Sequence, residues 1–324
     1  MAKRFSVSEY TDGLLAGNRL VLSRAITLVE STLPSDQHLA QQVLDQVLPH
    51  TGRAVRLGIT GVPGVGKSTF IEALGLHLVG QGKRLAVLAV DPSSPRSGGS
   101  ILGDKTRMQQ LSMHPQAYIR PSPAGRSLGG VTRSTREAML LCEAAGHDVI
   151  FVETVGVGQS ETAVHGMVDF FLLLMLAGAG DELQGVKRGI MEMADAVTIT
   201  KADGPNEAAA RRARREYQNA LHLFPLGSSG WSPPVTTCSA LSGAGVPEVW
   251  QEVERYVQHA RQNGYFEQRR QQQHLQWLHE AIRQGLEEQF YTRPAVLAQL
   301  DTVRQQVLSG QRSAFGAATE LLGL

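Results

Sequence analysis

Residues 55–80 read VRLGITGVPGVGKSTFIEALGLHLVG. A short β-prone run, VRLGIT, leads into the pattern G-x-x-x-x-G-K-[ST] at residues 61–68, and a helical pattern, STFIEALGLHLVG, follows at once. With a strand before it and a helix after it, that pattern is a phosphate-binding loop. Its glycines let successive backbone N–H groups point into one concavity, and the helix N-terminus adds a positive field for phosphate oxygens. The expected phosphate-binding set is Gly61, Val62, Pro63, Gly64, Val65, Gly66, Lys67, Ser68 and Thr69. The Lys67 ammonium is expected to reach the β- and γ-phosphates, and the Ser68 hydroxyl to ligate Mg²⁺. This is the signature of a nucleoside triphosphatase.

Working outward, short apolar runs recur at 84-RLAVLAVD, 148-DVIFVETVG, 170-FFLLLML, 196-AVTITKAD and 235-VTTCSAL. Continuous runs of this length are expected of strands buried on both faces of a parallel sheet. Helical patterns fall between them at 67–80, 133–145, 205–222 and 246–260. The order predicts an α/β fold with a doubly wound, mostly parallel sheet and ligands at the carboxyl ends of its strands. The segment 92–132 reads as long polar loops rich in Gly and Ser, a length that signals function more than linkage. A second Gly-rich loop, 177-AGAGDELQGVKRG-189, carries Asp181, Glu182, Lys187 and Arg188.

Carboxylates stand at other strand ends, where Mg²⁺ finds hard oxygen ligands. Asp91 ends the second run, and Glu153 ends the third in 151-FVETVGVGQ-159. The usual residue there is an Asp followed by x-x-Gly. Here a longer Glu takes its place, with Gly156 where a backbone N–H senses the γ-phosphate. The extra methylene favours a water-bridged or rearranged metal contact. Asp104, in 98-GGSILGDKTRM-108, is a third candidate ligand, and a solvated loop carboxylate is the alternative reading.

The stretch 200-TKAD-203 ends the strand pattern AVTIT, where a base-contacting segment belongs. A carboxylate accepts two parallel hydrogen bonds from guanine N1–H and its 2-amino group, and adenine has neither donor. Asp203 therefore points to guanine, with the Lys201 stem along the base plane. Ser239, Ala240 and Leu241, after VTTC, are expected to meet guanine O6 through a backbone N–H. Thr200 occupies a position more often filled by Asn, and so has one hydrogen-bonding group fewer. The expected ligands are GTP and GDP with Mg²⁺.

Composition excludes several classes. At 324 residues the length suggests about two domains. A net charge of +1 argues against a broad nucleic-acid surface. The basic run 211-RRARR-215 reads as a solvated helix face. Cys142 and Cys238 form no C-x-x-C and read as structural thiols. The N-terminus lacks the apolar core of a secretory signal, and the longest apolar run, 170–177, is too short to span a membrane. A cytoplasmic protein that binds neither nucleic acid nor membrane is expected.

Residues 1–50 read as two helices divided at Pro34-Ser35-Asp36, which is also expected to cap the second; Leu20, Leu22, Ile26 and Val29 form the apolar face of the first. Residues 51–260 hold the nucleotide domain. Residues 261–324 read as a Gln- and Arg-rich helical arm with an apolar stripe, Val296, Leu300, Val303 and Val307. That stripe packs either on its own domain or on a second subunit.

The stretches 59-ITGVPGVGKST, 88-LAVDPSS, 98-GGSILGDKTRM, 148-DVIFVETVGVGQSE, 177-AGAGDELQGVKRGI and 200-TKADG, with the helical entry 15-LAGNRLVLSRAITLVES, carry a resemblance. Together they resemble the methylmalonyl-CoA mutase-associated GTPases of the MeaB/ArgK type, in the signal-recognition/MinD-like class of P-loop GTPases. The resemblance covers nearly the whole chain to about residue 260. It implies slow GTP hydrolysis in the service of an adenosylcobalamin-dependent methylmalonyl-CoA mutase, by a homodimer joined through the C-terminal arm. It also implies Asp91, Asp104 and Glu153 around Mg²⁺, catalytic roles for Lys67, Asp91, Glu153 and Lys187, and rearrangement of the Lys187 loop when the mutase binds. No D-x-H-x-x-G cobalamin motif is present, so the cobalamin would belong to the partner. The alternatives are a nickel-insertion type maturation GTPase, which would ordinarily show a His-rich tract, and an ATP-dependent kinase of an amino-acid transport system, against which Asp203 argues.

Overall fold

The computed structural model describes residues 4–90, 108–121, 128–154, 160–178 and 188–323. Seven parallel strands form one sheet: β1 (Val55–Gly61), β2 (Leu85–Val90), β3 (Ala117–Arg120), β4 (Val149–Thr154), β5 (Phe170–Leu176), β6 (Ala196–Thr200) and β7 (Val235–Thr237). Their order is β3-β2-β4-β1-β5-β6-β7. From β1 the chain crosses outward to β2 and β3, returns through β4, and then continues on the far side of β1 through β5. This reversal leaves the carboxyl end of β1 at the topological switch point, where open α/β sheets bind ligands.

Strand periodicity explains how the sheet is covered. Leu172 and Leu174 of β5 face one core, together with Leu57 and Ile59 of β1. There α4 (Lys67–Gly80) contributes Phe70, Ile71 and Leu74, and α10 (Val246–Gln262) contributes Trp250, Val253 and Tyr256. The alternate residues Leu173 and Met175 face a second core under α8 (Arg188–Met193) and α9 (Glu207–Leu221). A strand with both faces buried has no polar face to show, hence the unbroken FFLLLML.

Three features differ from the sequence expectation. First, the segment read as polar loop contains a short helix, α5 (Gln109–Met113), and the edge strand β3. The four residues of β3, enclosed between Pro115 and Pro121, are too few to establish a period. Helix α6 (Leu128–Ala144) also starts five residues before the expected 133.

Second, the N-terminal region forms three helices, α1 (Val7–Leu15), α2 (Arg19–Val29) and α3 (Pro34–Val47). Gly17 takes a φ of 69°, and the Asn18 side chain accepts hydrogen bonds from the Leu20 and Val21 N–H groups, starting a new helix. Leu22, Ile26 and Val29 are buried, but Leu20 in the first turn is exposed.

Third, α3 has no side-chain cap: its N-cap is Leu33, whose side chain cannot accept a hydrogen bond, and Pro34 in the first turn has no N–H to be satisfied. Asp36 instead accepts from the Ser31 hydroxyl at 2.7 Å and pairs with Arg4 at 2.8 Å.

Both cysteines are buried free thiols, and burial pushes Cys238 up to about 12. Arg211, Arg212, Arg214 and Arg215 are exposed along α9, a solvated face. No helix among the described residues is long and apolar enough to cross a membrane.

The chain divides into two compact units, Met1–Arg270 and Gln271–Leu324. In the second, α12 (Pro294–Leu308) packs Val303, with Leu300 and Val307, against Ala317 and Leu321 of α13 (Ala314–Leu322). Much of the expected stripe is therefore spent inside its own unit. A different set lies open on α11 (Tyr265–Thr292): Leu275, Leu278, Ile282 and Leu286, at 3-4-4 spacing.

The first unit closes on a buried ion-pair cluster beneath the sheet. Arg270, in the first turns of α11, donates to both carboxylate oxygens of Asp169, at 2.8 and 2.7 Å, and to the Ala54 carbonyl at 2.7 Å. Asp169 also accepts the Arg56 N–H at 2.8 Å, and Arg56 Nε donates to Glu143 at 2.7 Å. Burial pushes the Asp169 carboxyl up, but the hydrogen bonds and charge of Arg270, aided by Arg56, more than reverse it and hold its pKa below the ordinary value. Its stabilising contribution is thus complete above about pH 4, the unfolded carboxyl's value, and is lost as pH falls through the lower folded value. Asp169→Ala strands Arg270 in a buried site and is expected to cost about 3–5 kcal/mol in urea unfolding at neutral pH. The deficit relative to wild type should shrink in acid. A pH-independent loss under 1 kcal/mol would contradict this.

Candidate nucleotide site

The loop after β1 is shaped by its glycines. A Cβ on Gly61 would lie 2.5 Å from the Leu174 carbonyl oxygen of β5, closer than any side chain allows. Gly64 and Gly66 take φ values of 78° and 94°, in the left-handed region that only glycine enters without strain. A Cβ on Gly64 would meet nothing within 4 Å, so the loop opens there into space. Gly66 caps α4, which begins at Lys67. Its first N–H groups lack intrahelical partners, and the helix dipole makes this end attractive to anions. Val65 is buried beneath the loop, while Pro63 and Thr69 are exposed on its rim.

Lys67 folds over the loop, its ammonium donating to the Gly61 carbonyl at 2.7 Å. Burial lowers its pKa, an effect opposed by the negative charges of Glu153 and Glu161. Glu161, at the second position of α7 (Ser160–His165), was not singled out from the sequence, although it closes the motif ETVGVGQSE. It is a buried carboxylate whose charge bears on the phosphate-loop lysine.

Glu153 is also buried and is paired in register with Ile59 of β1. The next residue, Thr154, donates to the Thr60 hydroxyl at 2.9 Å and so pins the two strand ends together. Ser68 Oγ lies 3.4 Å from Glu153 Oε1. A hydroxyl and a carboxylate, both hard oxygen donors, thus converge beside an open phosphate cradle, and this donor set fits Mg²⁺ bound to a triphosphate. Asp91, Asp104, Gly156 and Lys187 lie outside the described residues.

The base-reading candidates come together at the ends of β6 and β7. Thr200 is buried, and its hydroxyl lies 2.7 Å from the Val65 carbonyl and 3.3 Å from the Met175 carbonyl. It is therefore spent on tying β6 to the phosphate loop and to β5. Lys201 extends the tie, its ammonium donating to the Gly64 carbonyl at 2.8 Å. It is the one non-glycine with positive φ among the described residues, at 55°. A strained conformation of this kind costs about 1–3 kcal/mol and persists where the surroundings impose it.

Asp203 accepts a hydrogen bond from the buried Ser239 hydroxyl, which orients its carboxylate. The Ser239 N–H is committed to the Ala244 carbonyl at 2.8 Å. Neither the Ala240 nor the Leu241 N–H has an acceptor among the described residues, so both are donors left for a base carbonyl. Leu241 is 85% exposed at the loop tip.

With this geometry in place, the comparisons with known proteins fall into line. The profile of the family described as methylmalonyl-CoA mutase-associated GTPase MeaB matches residues 22–295. The chain belongs to this family. A putative GTPase of Caulobacter vibrioides is 53% identical over 309 residues, 95% of this chain and 94% of the relative. The mouse protein named methylmalonic aciduria type A homolog, mitochondrial, is 49% identical over 330 residues, 99% of this chain and 79% of the relative. The crystal structure of an LAO/AO transport system kinase matches with a TM-score of 0.78 at 37% identity, covering 100% of this chain and 98% of that one.

This GTPase carries a glycine-shaped loop between β1 and α4, with a threonine leading the candidate base-reading segment. Thr200→Val removes the hydroxyl while keeping the shape, and leaves the Val65 and Met175 carbonyls without it. The expected loss is about 1–3 kcal/mol of stability by chemical denaturation, with weaker GDP binding. Thr200→Asn, which restores a donor, should recover most of the GDP affinity. Equal GDP binding by wild type and Thr200→Val would remove Thr200 from the site.

Proposed function

We propose that this GTPase uses Mg²⁺-dependent GTP hydrolysis to assist or protect an adenosylcobalamin-dependent methylmalonyl-CoA mutase. The family match supports the partner, and the Asp203–Ser239 pair supports guanine as the base. Magnesium, when bound, would neutralise charge developing on the phosphates and be held by Ser68 and Glu153, with Asp91 and Asp104 as further candidates. On entry of a triphosphate, Lys67 exchanges the Gly61 carbonyl for phosphate oxygens, which stabilise its charge better than a neutral acceptor. The loop and α4 N–H groups then orient the phosphates. Asp203 accepts from the guanine N1–H and 2-amino groups, Ala240 donates to O6, and Lys201 packs along the base.

The exposed stripe of Leu275, Leu278, Ile282 and Leu286 supports the reading that the C-terminal arm joins two copies into a homodimer. We place the protein in the cytoplasm.

Of the two nucleotides, GDP should raise the melting temperature and ADP at equal concentration should not. Asp203→Asn is expected to weaken GDP by roughly tenfold to a hundredfold, the loss of one or two charge-assisted hydrogen bonds, and to favour xanthosine diphosphate. Equal protection by ADP and GDP would overturn guanine recognition. For the partner, GTP turnover should rise when a purified cobalamin mutase is added, and the two proteins should co-elute. Unchanged turnover with no co-elution would refute the mutase assignment and leave the GTPase assignment standing.

A further inference from the structure

Glu161 has a place in the fold that neither the metal nor the base reading uses. The chain enters α7 from the carboxyl end of β4, and α7 lies against β1: a Cβ on Gly58 would stand 3.0 Å from Val164 Cγ1. Glu161 precedes Val164 by three residues, so it sits on the same side of α7, one turn nearer the end of β1 that carries the loop. Gly58 and Ile59 are consecutive in the strand and face opposite ways. Ile59 packs with α4, and Glu153 is its partner in register. Glu153 therefore approaches the loop from the α4 face of the sheet, and Glu161 from the α7 face.

Glu161 is only 8% exposed. Among the described residues its carboxylate accepts no hydrogen bond and joins no ion pair. The adjacent Ser160 hydroxyl, also buried, does not donate to it. Its charge nevertheless reaches the loop. Burial lowers the Lys67 pKa, and the charges of Glu153 and then Glu161 oppose that effect. A buried charge is screened little by salt, so one that acts on the lysine also acts on the phosphates the lysine holds. Ser68 and Glu153, the candidate metal ligands, lie together on the α4 side. A carboxylate on the opposite face stands apart from them and adds repulsion. GTP carries one more negative charge than GDP, at the γ-position, and bears more of it.

We propose that Glu161 is a specificity residue that weakens GTP relative to GDP by opposing the charge of the γ-phosphate. By the same factor it favours the GDP-bound over the GTP-bound protein, since departure of the γ-phosphate relieves the repulsion. This rests on the reading of the loop after β1 as the nucleotide site, and is independent of the mutase.

The test uses the full chain in Mg²⁺ buffer, with GDP and the non-hydrolysable β,γ-imido analogue of GTP titrated calorimetrically. Glu161→Gln should tighten the analogue relative to GDP by about fivefold or more, and the change should persist as salt is raised. Glu161→Met, which removes the charge and suits the apolar packing beside Val164, should show the same change. Glu161→Asp keeps the charge and should stay within about twofold of the wild-type ratio. An unchanged ratio in Glu161→Gln or Glu161→Met, a shift towards GDP, or Glu161→Asp behaving like Glu161→Gln would each overturn the proposal. Lys67→Met should lose both nucleotides. Undiminished binding by Lys67→Met would overturn the site reading and the proposal with it, whereas lost binding there with an unchanged ratio in Glu161→Gln would overturn the proposal alone.

Discussion

At Gly61 the backbone of β1 passes so close to β5 that a methyl group there would sit 2.5 Å from the Leu174 carbonyl oxygen. This approach governs the site. It lets β1 end against the centre of the sheet and turn the following residues back over its own carboxyl end. Gly64 and Gly66 continue the turn through conformations that would strain any other residue, and α4 starts with its N-terminus beside the cradle. A bulkier residue at Gly61 would push the loop off β5 and separate it from the neighbours that hold it.

Those neighbours make the phosphate and base regions one mechanical unit. Thr200 reaches Val65 and Lys201 reaches Gly64, so two consecutive residues of the base segment grip two consecutive residues of the loop. On the other side, the Thr60–Thr154 hydroxyl contact fixes the strand end that carries Glu153. Groups held by their neighbours in this way would need little further ordering when a nucleotide binds. The Asp169–Arg270 cluster serves the opposite end of the sheet. It holds the start of α11 against β1 and β5, the two strands that meet at Gly61 above.

Much of the fold was legible because the residues concerned report on local physics. The run FFLLLML can only be a strand buried on both faces or a helix fragment, and its length decides for the strand. The loop motif was legible because Gly64 and Gly66 answer to backbone angles alone, whereas the close approach to β5 that requires Gly61 was not. β3 was not legible, because four residues at a sheet edge carry no period. The third N-terminal helix was hidden because Gly17-Asn18 interrupts a pattern whose apolar spacing continues across it. Glu161 escaped notice for another reason: nothing in a linear motif says that its carboxylate is buried near Lys67.

From residue types alone came the fold class, the phosphate-loop motif, a candidate base-reading carboxylate and the family to which the chain belongs. Each depends on residue type and short-range spacing, which fix backbone freedom, burial and hydrogen-bonding capacity. Only the tertiary structure decided what those groups touch. Thr200 turns to the loop after β1, Ser239 orients Asp203 while the Ala240 and Leu241 N–H groups have no acceptor among the described residues, and Lys67 and Glu161 share one electrostatic site. These pairings join residues 36 to 135 positions apart in the chain. Contacts across such separations follow from strand order and packing, which no local pattern encodes.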